Sequence, residues 1–183
     1  AISLPALKGW IDELIVLDSG STDQGQQLVE SAGGQWFVNT NWQGFGKQRQ
    51  LAQSYATGDW ILALDADEEI TPQLKQSILE VIAHPPANTV YGIKRIDCIF
   101  GHEIDNSYWA LKAHWRLYPK AFQYNDNLVH ESVELNGAVT QTLKGTMLHH
   151  TADTPQFWLD KRLQYAKAWA VDRHQRGKNV SIF

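Results

Sequence analysis

The sequence predicts an α/β fold with a mostly parallel central sheet, helices on both faces and a small antiparallel extension. Two short apolar runs, at 14–17 and 60–64, each end in acidic residues, as strands that lead into ligand-binding turns do. Segments of helix-forming residues follow both runs, which favours parallel strands joined by helices. The second half of the chain changes to short strand-like runs separated by turns, which predicts the antiparallel extension.

The first part of the chain reads as strand, helix, helix, strand, helix. The stretch "ELIVLDSGSTD" predicts a strand and a turn, and "QGQQLVESAGG" predicts a short helix that stops at its glycine pair. In "GFGKQRQLAQSYATGDW" we expect a second helix with Gly58 as its C-cap. "WILAL" is apolar throughout, as a strand covered on both faces would be. Thr71 and Pro72 then predict the cap and the first position of another helix.

The second part predicts a different organisation. "VYGIKRIDCIFG", "HWRLYP", "SVELNGAV" and "TLKGTMLHHT" are typical of short strands, and "TPQFWLDKRLQYAKAWAVDRHQRG" predicts a long helix. No linker, repeat or low-complexity tract divides the chain. We therefore expect one domain over residues 1–183, with a basic C-terminal helix at 155–183.

Composition limits the function classes. With 183 residues and 43% hydrophobic content, the chain can bury a core, and a net charge of −4 argues against a dedicated nucleic-acid binder. No apolar run is long enough to span a membrane, and nothing resembles a signal peptide, although the start looks trimmed. The single cysteine suits a reducing compartment, so a cytoplasmic location is expected.

Charge is unevenly distributed along the chain. Residues 1–154 carry ten basic and eighteen acidic side chains, a net −8, whereas residues 155–183 carry six and two, a net +4. An acidic body with a basic end, which also carries Trp158, Tyr165 and Trp169, suggests a tail that binds the inner face of the cytoplasmic membrane peripherally. The alternative is that the aromatic side of the helix packs on the sheet and the cations are solvated or form a subunit contact.

The stretch "LDADEE" places four carboxylates directly after an apolar strand. Asp65 and Asp67 would point to the same side, because side chains alternate along a strand. Together they can reach one hard cation, and Mg²⁺ or Mn²⁺ shared with substrate phosphates fits such oxygen ligands. The alternative is a solvated acidic turn in which Glu68 and Glu69 favour the positive start of the next helix.

Two further segments carry polar groups suited to a nucleotide. Asp18 ends the first strand and Ser19 begins its small-residue turn, so a nucleobase N–H can approach the carboxylate; the alternative is an Asx-turn that bonds only its own backbone. Lys47 and Arg49 lie at a helix start behind two glycines, where a helix N-terminus and a guanidinium can bind an anion. By itself this second segment also fits a surface helix.

Taken together, these stretches resemble the GT-A glycosyltransferases of family 2. The likeness lies in "DELIVLDSGSTD", "GFGKQRQLAQSYATGDWILALDADEE", "WRLYP", "VHE" and "LKGTMLHHT", and it spans nearly the whole chain. It is strongest to the branch of glucosyl- and heptosyltransferase-like proteins of the lipopolysaccharide inner core. The resemblance implies a GT-A sandwich fold and an inverting, metal-dependent transfer of a sugar from a nucleotide-sugar donor to a saccharide or lipid-linked acceptor.

The resemblance also implies roles for the donor side. Asp18 occupies the position that holds the nucleobase, with Ser19 beside it, and Arg49 occupies an arginine position near the donor nucleotide, with Lys47 beside it. Asp65 is expected toward ribose and metal.

On the metal and acceptor side, Asp67 is implied as a metal ligand. Glu131 matches the acceptor-side acid and becomes the candidate base, the alternative being a plain ion pair with a nearby cation. His149 is implied as a third metal ligand or diphosphate contact, while His150 would face the opposite side of its strand.

One departure from the family pattern concerns the start of the chain. Family members open with an apolar strand followed by Asn-Glu, whereas "AISLPALKGW" corresponds to the helix after that strand.

Aromatic rings stack on sugars, so Trp109, Trp115 and Tyr118 are candidates for an acceptor cleft. Two rival functions are a nucleotidyltransferase, which also uses paired carboxylates, and a non-catalytic carbohydrate-binding protein with the same fold.

Overall fold

The computed structural model describes residues 2–86, 88–105, 112–128, 130–175 and 177. Helices and strands alternate in the first half, and longer strands dominate the second. The helices are α1 Leu4–Leu7, α2 Gly25–Ser31, α3 Phe45–Tyr55, α4 Pro72–Ala83 and α5 Pro155–Gln175. The strands are β1 Ile15–Asp18, β2 Gln35–Val38, β3 Trp60–Leu62, β4 Glu68–Ile70, β5 Thr89–Ile99, β6 His102–Ile104, β7 Ala113–Pro119 and β8 Val139–Ala152.

The strands form two sheets. β1 and β2 pair in parallel as a small sheet of their own, and the larger sheet has the order β3-β7-β5-β8-β4, with β6 paired to β5. Within the described residues, four of the five ladders in the larger sheet are antiparallel, and β5–β8 is parallel. The α/β class is as predicted, but a mostly parallel sheet is not confirmed, because β7 lies between β3 and β5 and runs against both.

Several elements differ from the sequence expectation. β2 was missed, since its four residues are too few to show a period, and β4 was missed because its acidic residues resemble a helix start. "SVELNGAV" forms an isolated bridge between Val133 and Tyr124, and only its last residue, Val139, belongs to a strand, β8. Helix α3 ends at Tyr55, before the expected cap at Gly58. The start of α4 is as predicted, with Pro72 in the first turn and the Thr71 hydroxyl accepting from the Leu74 amide at 3.3 Å.

The core lies on both faces of the larger sheet. On one face, α4 packs Leu74 and Ile78 against sheet residues such as Ile93 and Met147, all of which are buried. On the other face, a second cluster contains Val90, Tyr118, Tyr124 and Val133. Helix α3 packs beside this second cluster: the Tyr118 hydroxyl donates to Gln53 Oε1 at 3.1 Å, and Gln53 Nε2 donates to two carbonyls of the segment after β7. Helices thus cover both faces, as the sequence predicted.

Helix α5 differs from the others because most of its described side chains are exposed. Its exposed apolar residues, each half exposed or more, are Phe157, Leu159, Leu163, Tyr165, Trp169 and Val171. Trp158 and Arg173 are exceptions, each with a side-chain nitrogen that is buried without a hydrogen-bond partner. None of the helices in the described part of the chain combines the length and the apolar character needed to cross a membrane.

Candidate active site

Ten ionisable side chains, acids alternating with basic residues, form one continuous network on the α3 side and along the ends of β3, β5 and β8. Each member is within 4.0 Å of the next. In order, the members are Glu131, Arg49, Asp65, Arg116, Glu68, Arg95, Asp97, His149, Asp67 and Lys161. The network therefore brings together the five predicted residues Glu131, Arg49, Asp65, Asp67 and His149. The residues that link them include Arg116, Arg95 and Asp97, which were not predicted as site residues.

Asp65 lies at the centre of the network, in the turn between β3 and β4. Its Oδ1 accepts from Arg49 Nη2 at 2.7 Å and its Oδ2 accepts from Arg116 Nη2 at 2.9 Å. Burial by itself raises the pKa of Asp65, but Arg116 and Arg49 outweigh this effect and hold the pKa well below its ordinary value. Asp65 is therefore a fixed carboxylate whose two oxygens both face guanidinium groups.

Glu68 is the buried anchor of the turn that carries Asp65 and Asp67. Its side chain is 0% exposed, its Oε1 accepts from Arg116 Nη2 at 2.7 Å and its Oε2 accepts from the Asp65 amide at 2.9 Å. Complete burial raises the pKa of Glu68 in spite of Arg116. The interpretation of this residue as part of a solvated helix start is therefore wrong. Glu69 is paired separately, with His150 Nε2 at 3.0 Å.

Asp67 and His149 form the second centre. His149 Nε2 lies 3.4 Å from Asp67 Oδ2, and His149 Nδ1 lies 2.9 Å from Asp97 Oδ1. Burial by itself lowers the pKa of His149, but its contacts with Asp67 and Asp97 outweigh that effect and raise the pKa. Lys161 of α5 reaches the same Asp67 oxygen at 3.7 Å.

Asp67 and His149 of this second centre are two of the residues predicted to bind a metal ion, and that role stays a prediction. No cluster of three or more His, Cys, Asp or Glu ligands exists among the residues that the structure describes. Asp67 and His149 present one oxygen and one nitrogen toward each other, and Asp97 holds the far nitrogen of the ring, as the outer carboxylate does in many histidine metal sites. Two protein ligands suit Mg²⁺ or Mn²⁺ when phosphates and water supply the rest. Asp65 has its oxygens on arginines instead.

Glu131 reaches the network through Arg49. Its Oε1 accepts from Arg49 Nε at 2.9 Å, and both side chains are largely buried. The loop before Glu131 is docked on the start of α3, where the Phe45 and Gly46 amides donate to the Leu128 and Asn127 carbonyls. A Cβ at Gly46 would lie 2.0 Å from the Asn125 carbonyl oxygen, so only glycine permits this approach. Because loop carbonyls occupy these two amides, they are not available for the anion site expected at this helix start, and the donor role of Arg49 stays a prediction.

The remaining predicted donor residues lie around α3. Lys47 Nζ pairs with Asp126 Oδ1 at 2.7 Å on an exposed side of the helix, and the structure does not bring it to Asp65. Asp18 accepts three hydrogen bonds within its own turn, from the Gly20 and Ser21 amides and the Ser21 hydroxyl, each at 2.6 Å. Burial by itself raises the pKa of Asp18, but these bonds lower it overall.

The Asx-turn expected as the alternative for Asp18 is therefore present. Its neighbour Ser19 Oγ accepts from Gln48 Nε2 at 3.2 Å, and this contact links the β1 turn to α3 one residue before Arg49. The nucleobase roles of Asp18 and Ser19 stay predictions.

Of the predicted acceptor aromatics, the two that the structure describes, Trp115 and Tyr118, belong to the core. Tyr118 is 1% exposed and Trp115 packs against the second core cluster, while Trp109 lies outside the described residues.

The sequence does contain a signal for the network members that were not predicted, because Arg95 and Asp97 alternate with apolar residues in β5. Arg116 likewise interrupts an apolar strand, and a charge in such a run is rarely buried unless it is paired.

Comparisons with known proteins agree with this architecture. A glycosyltransferase of Rickettsia prowazekii, itself uncharacterized, is 29% identical over 194 residues, covering 100% of this chain and 66% of its own length. The lipopolysaccharide core biosynthesis glycosyltransferase LpsC of Rhizobium meliloti is 25% identical over 179 residues, covering 93% of this chain and 66% of its own. The chain thus spans about two thirds of the length of these curated relatives.

Among solved structures, TarS of S. aureus superposes with a TM-score of 0.55 at 18% identity, covering 81% of this chain and 34% of that one. This likeness concerns the fold. The family model of glycosyl transferase family 2 matches residues 6–135, a range that contains Asp18, Arg49, Asp65, Asp67 and Glu131. The chain belongs to glycosyl transferase family 2.

Proposed function

We propose that this protein transfers a hexose or heptose from a nucleotide sugar to a saccharide or lipid-linked acceptor, with inversion at the anomeric carbon. The observation that carries the proposal is the position of Arg49, whose guanidinium joins Glu131 to Asp65. One side chain thereby links the candidate base of the acceptor side to the carboxylates of the donor side. A direct displacement needs these two sides close together and in line.

In the proposed reaction, the acceptor hydroxyl attacks the anomeric carbon while the bond to the diphosphate oxygen breaks. Glu131 accepts the hydroxyl proton, and Arg49 orients Glu131 through the contact at 2.9 Å. The diphosphate leaves on the donor side, where Arg49 offers a planar cation for phosphate oxygens. Asp67 and His149 would hold Mg²⁺ or Mn²⁺, which supplies positive charge for the departing nucleoside diphosphate.

The acceptor is proposed to be a lipid-linked saccharide of lipopolysaccharide core biosynthesis, at the inner face of the cytoplasmic membrane. The similarity to LpsC supports this finer assignment. Helix α5 supports it too, because exposed apolar side chains alternate there with cations. Lys161, Arg162 and Arg173 each stack on an aromatic ring of the same helix, at 5.8, 5.1 and 4.8 Å from the ring centroids. Cations beside aromatic rings suit an anionic lipid surface.

The test is a screen of nucleotide sugars by thermal shift with and without Mn²⁺, followed by product analysis. A ligand that binds only the folded state raises the melting temperature. We expect a Mn²⁺-dependent rise with one donor and release of a nucleoside diphosphate. Release of pyrophosphate would instead identify a nucleotidyltransferase, and saccharide binding without a metal or nucleotide effect would identify a non-catalytic binding protein.

A further inference from the structure

An exposed apolar patch is formed at the start of α3 and in the loop that leads to the candidate base. It consists of Trp42, Phe45 and Leu128, which are 47%, 40% and 57% exposed, and we name it the Trp42 platform. The rings of Trp42 and Phe45 meet edge to face, with centroids 4.8 Å apart and planes at 88°. Large apolar side chains that cluster at the surface mark binding sites more often than isolated ones do.

The backbone holds the platform in one arrangement. Gly44 has a φ of 105°, and a Cβ at this position would lie 2.8 Å from the Leu128 Cα, so the chain before α3 passes directly over Leu128. The Phe45 amide donates to the Leu128 carbonyl at 3.2 Å. A platform that is already ordered loses little conformational entropy on binding a ligand, as a recognition site requires.

The position of the platform connects it to the proposed chemistry. Phe45 and Arg49 are four residues apart in α3, so they lie on the same helix face about one turn apart. Leu128 precedes Glu131 by three residues in the loop that carries it, and Arg49 contacts Glu131 directly. The two ends of the platform therefore both lead to the Arg49–Glu131 pair.

We propose that the Trp42 platform binds an acceptor saccharide of two or more sugar units. One sugar ring stacks on the platform, and the saccharide then lies in reach of Glu131. The proposal rests on the glycosyltransferase function proposed above and adds the acceptor subsite to it. The apolar C–H face of a pyranose packs on an aromatic ring, while its hydroxyls remain available to polar neighbours. An acyl chain fits this place less well, because both ends of the platform lead to the Arg49–Glu131 ion pair and an acyl chain offers this pair no hydrogen-bond partner.

The test measures binding and turnover separately. The probe is the core oligosaccharide released from lipopolysaccharide by mild acid, added to protein labelled with ¹⁵N in its tryptophan side chains. We expect the Trp42 indole signal, assigned with Trp42→Phe, to shift on titration. In turnover, Trp42→Ala should raise the KM for this acceptor at least tenfold, while the donor KM changes less than twofold. Leu79→Ala, which removes a comparably exposed apolar side chain from α4, should leave both KM values unchanged.

Two outcomes overturn the proposal: an unshifted Trp42 signal at millimolar oligosaccharide with and without nucleotide, or a wild-type acceptor KM in a folded Trp42→Ala protein. Failure of the proposed function gives a different pattern, in which no nucleotide sugar binds the wild-type protein. In that case, a Trp42 shift with the oligosaccharide would still support a saccharide site at the platform.

Discussion

Arg116 donates from a single nitrogen, Nη2, to Glu68 Oε1 at 2.7 Å, and both side chains are buried. The same nitrogen also reaches Asp65 Oδ2 at 2.9 Å. Two carboxyl groups thus share one guanidinium nitrogen, one of them fully buried (Glu68) and the other partly exposed to solvent (Asp65). Burial by itself lowers the pKa of a guanidinium, but Glu68 and Asp65 outweigh it and keep Arg116 charged at every accessible pH.

Arg116→Met should therefore destabilise the protein by about 3–5 kcal/mol, since it breaks a buried ion pair and leaves the buried Glu68 with Arg95, 4.0 Å away, as its remaining cationic partner. Urea denaturation measures the loss. The double variant Arg116→Met with Glu68→Gln should recover part of it, because the buried charge is removed as well. A single variant with wild-type stability would contradict the structural role of the pair.

Asp67→Ala should remove Mn²⁺ binding and leave the fold intact, because Asp67 lies in a turn and its side chain is partly exposed. Calorimetric titration with Mn²⁺ and nucleoside diphosphate checks this, and His149→Gln should weaken binding in the same assay. Asp59→Ala, an exposed carboxylate near the start of β3, is the matched control. Near wild-type turnover in Asp67→Ala would remove the metal assignment.

Glu131→Gln should lower turnover by roughly 10²-fold or more, the usual scale for a lost general base, and should keep nucleotide-sugar affinity. Steady-state kinetics combined with donor titration separates the two effects. Glu134→Gln, three residues further along and exposed, is expected to behave as wild type. If donor affinity falls instead, Glu131 acts on the donor side through Arg49.

Stability should fall in mild acid because of His114. Burial, with Arg95 and Arg116 nearby, lowers the pKa of His114 to about 4. An unfolded histidine takes up its proton near pH 6.5, so between about pH 6.5 and 4 the unfolded state binds more protons than the folded state. The free energy of unfolding therefore decreases as the pH drops through this window.

The measurement is urea denaturation from pH 7 to pH 4. His114→Gln should flatten the dependence, whereas replacing the exposed His84 should not. Equal slopes in wild type and His114→Gln would assign the acid sensitivity to other groups.

Helix α5 should bind anionic liposomes in a salt-sensitive manner. Reversal of Arg162, Lys167 and Arg173 to Glu should weaken binding at least tenfold, because each cation near an anionic surface contributes up to about 1 kcal/mol. Lys161 is left unchanged because it contacts Asp67. Arg176 and Lys178, which extend the basic end, lie outside the described residues.

Co-sedimentation at low and high salt measures this binding. Reversal of the exposed Lys8, Lys94 and Lys144 on the body of the protein is the matched control for net charge. Binding that is absent at low salt, or that falls equally in both triple variants, would remove the membrane role of the helix.

What the sequence could predict depends on how local the cause is. The runs that lead into Asp18 and Asp65, and the Thr71 cap of α4, follow from neighbouring residues and were found. The ionic pair of Arg116 and Glu68 joins positions 48 residues apart, and no local sequence pattern indicates that these two residues pair with each other. The mostly parallel sheet is not confirmed for the same reason, because the antiparallel pairing of β7 with both β3 and β5 depends on long-range contacts.

The pairing of acidic with basic side chains also restricts which amino-acid substitutions this site can accept during evolution. A single substitution at Arg116 leaves the buried Glu68 with only Arg95, at 4.0 Å, as a cationic partner, so positions 116 and 68 are expected to mutate together or not at all. Mutational libraries built one codon at a time will then recover variation in α5 and on the Trp42 platform, and almost none along the ionic network. Altered acceptor preference is accordingly easier to reach by selection than altered donor chemistry.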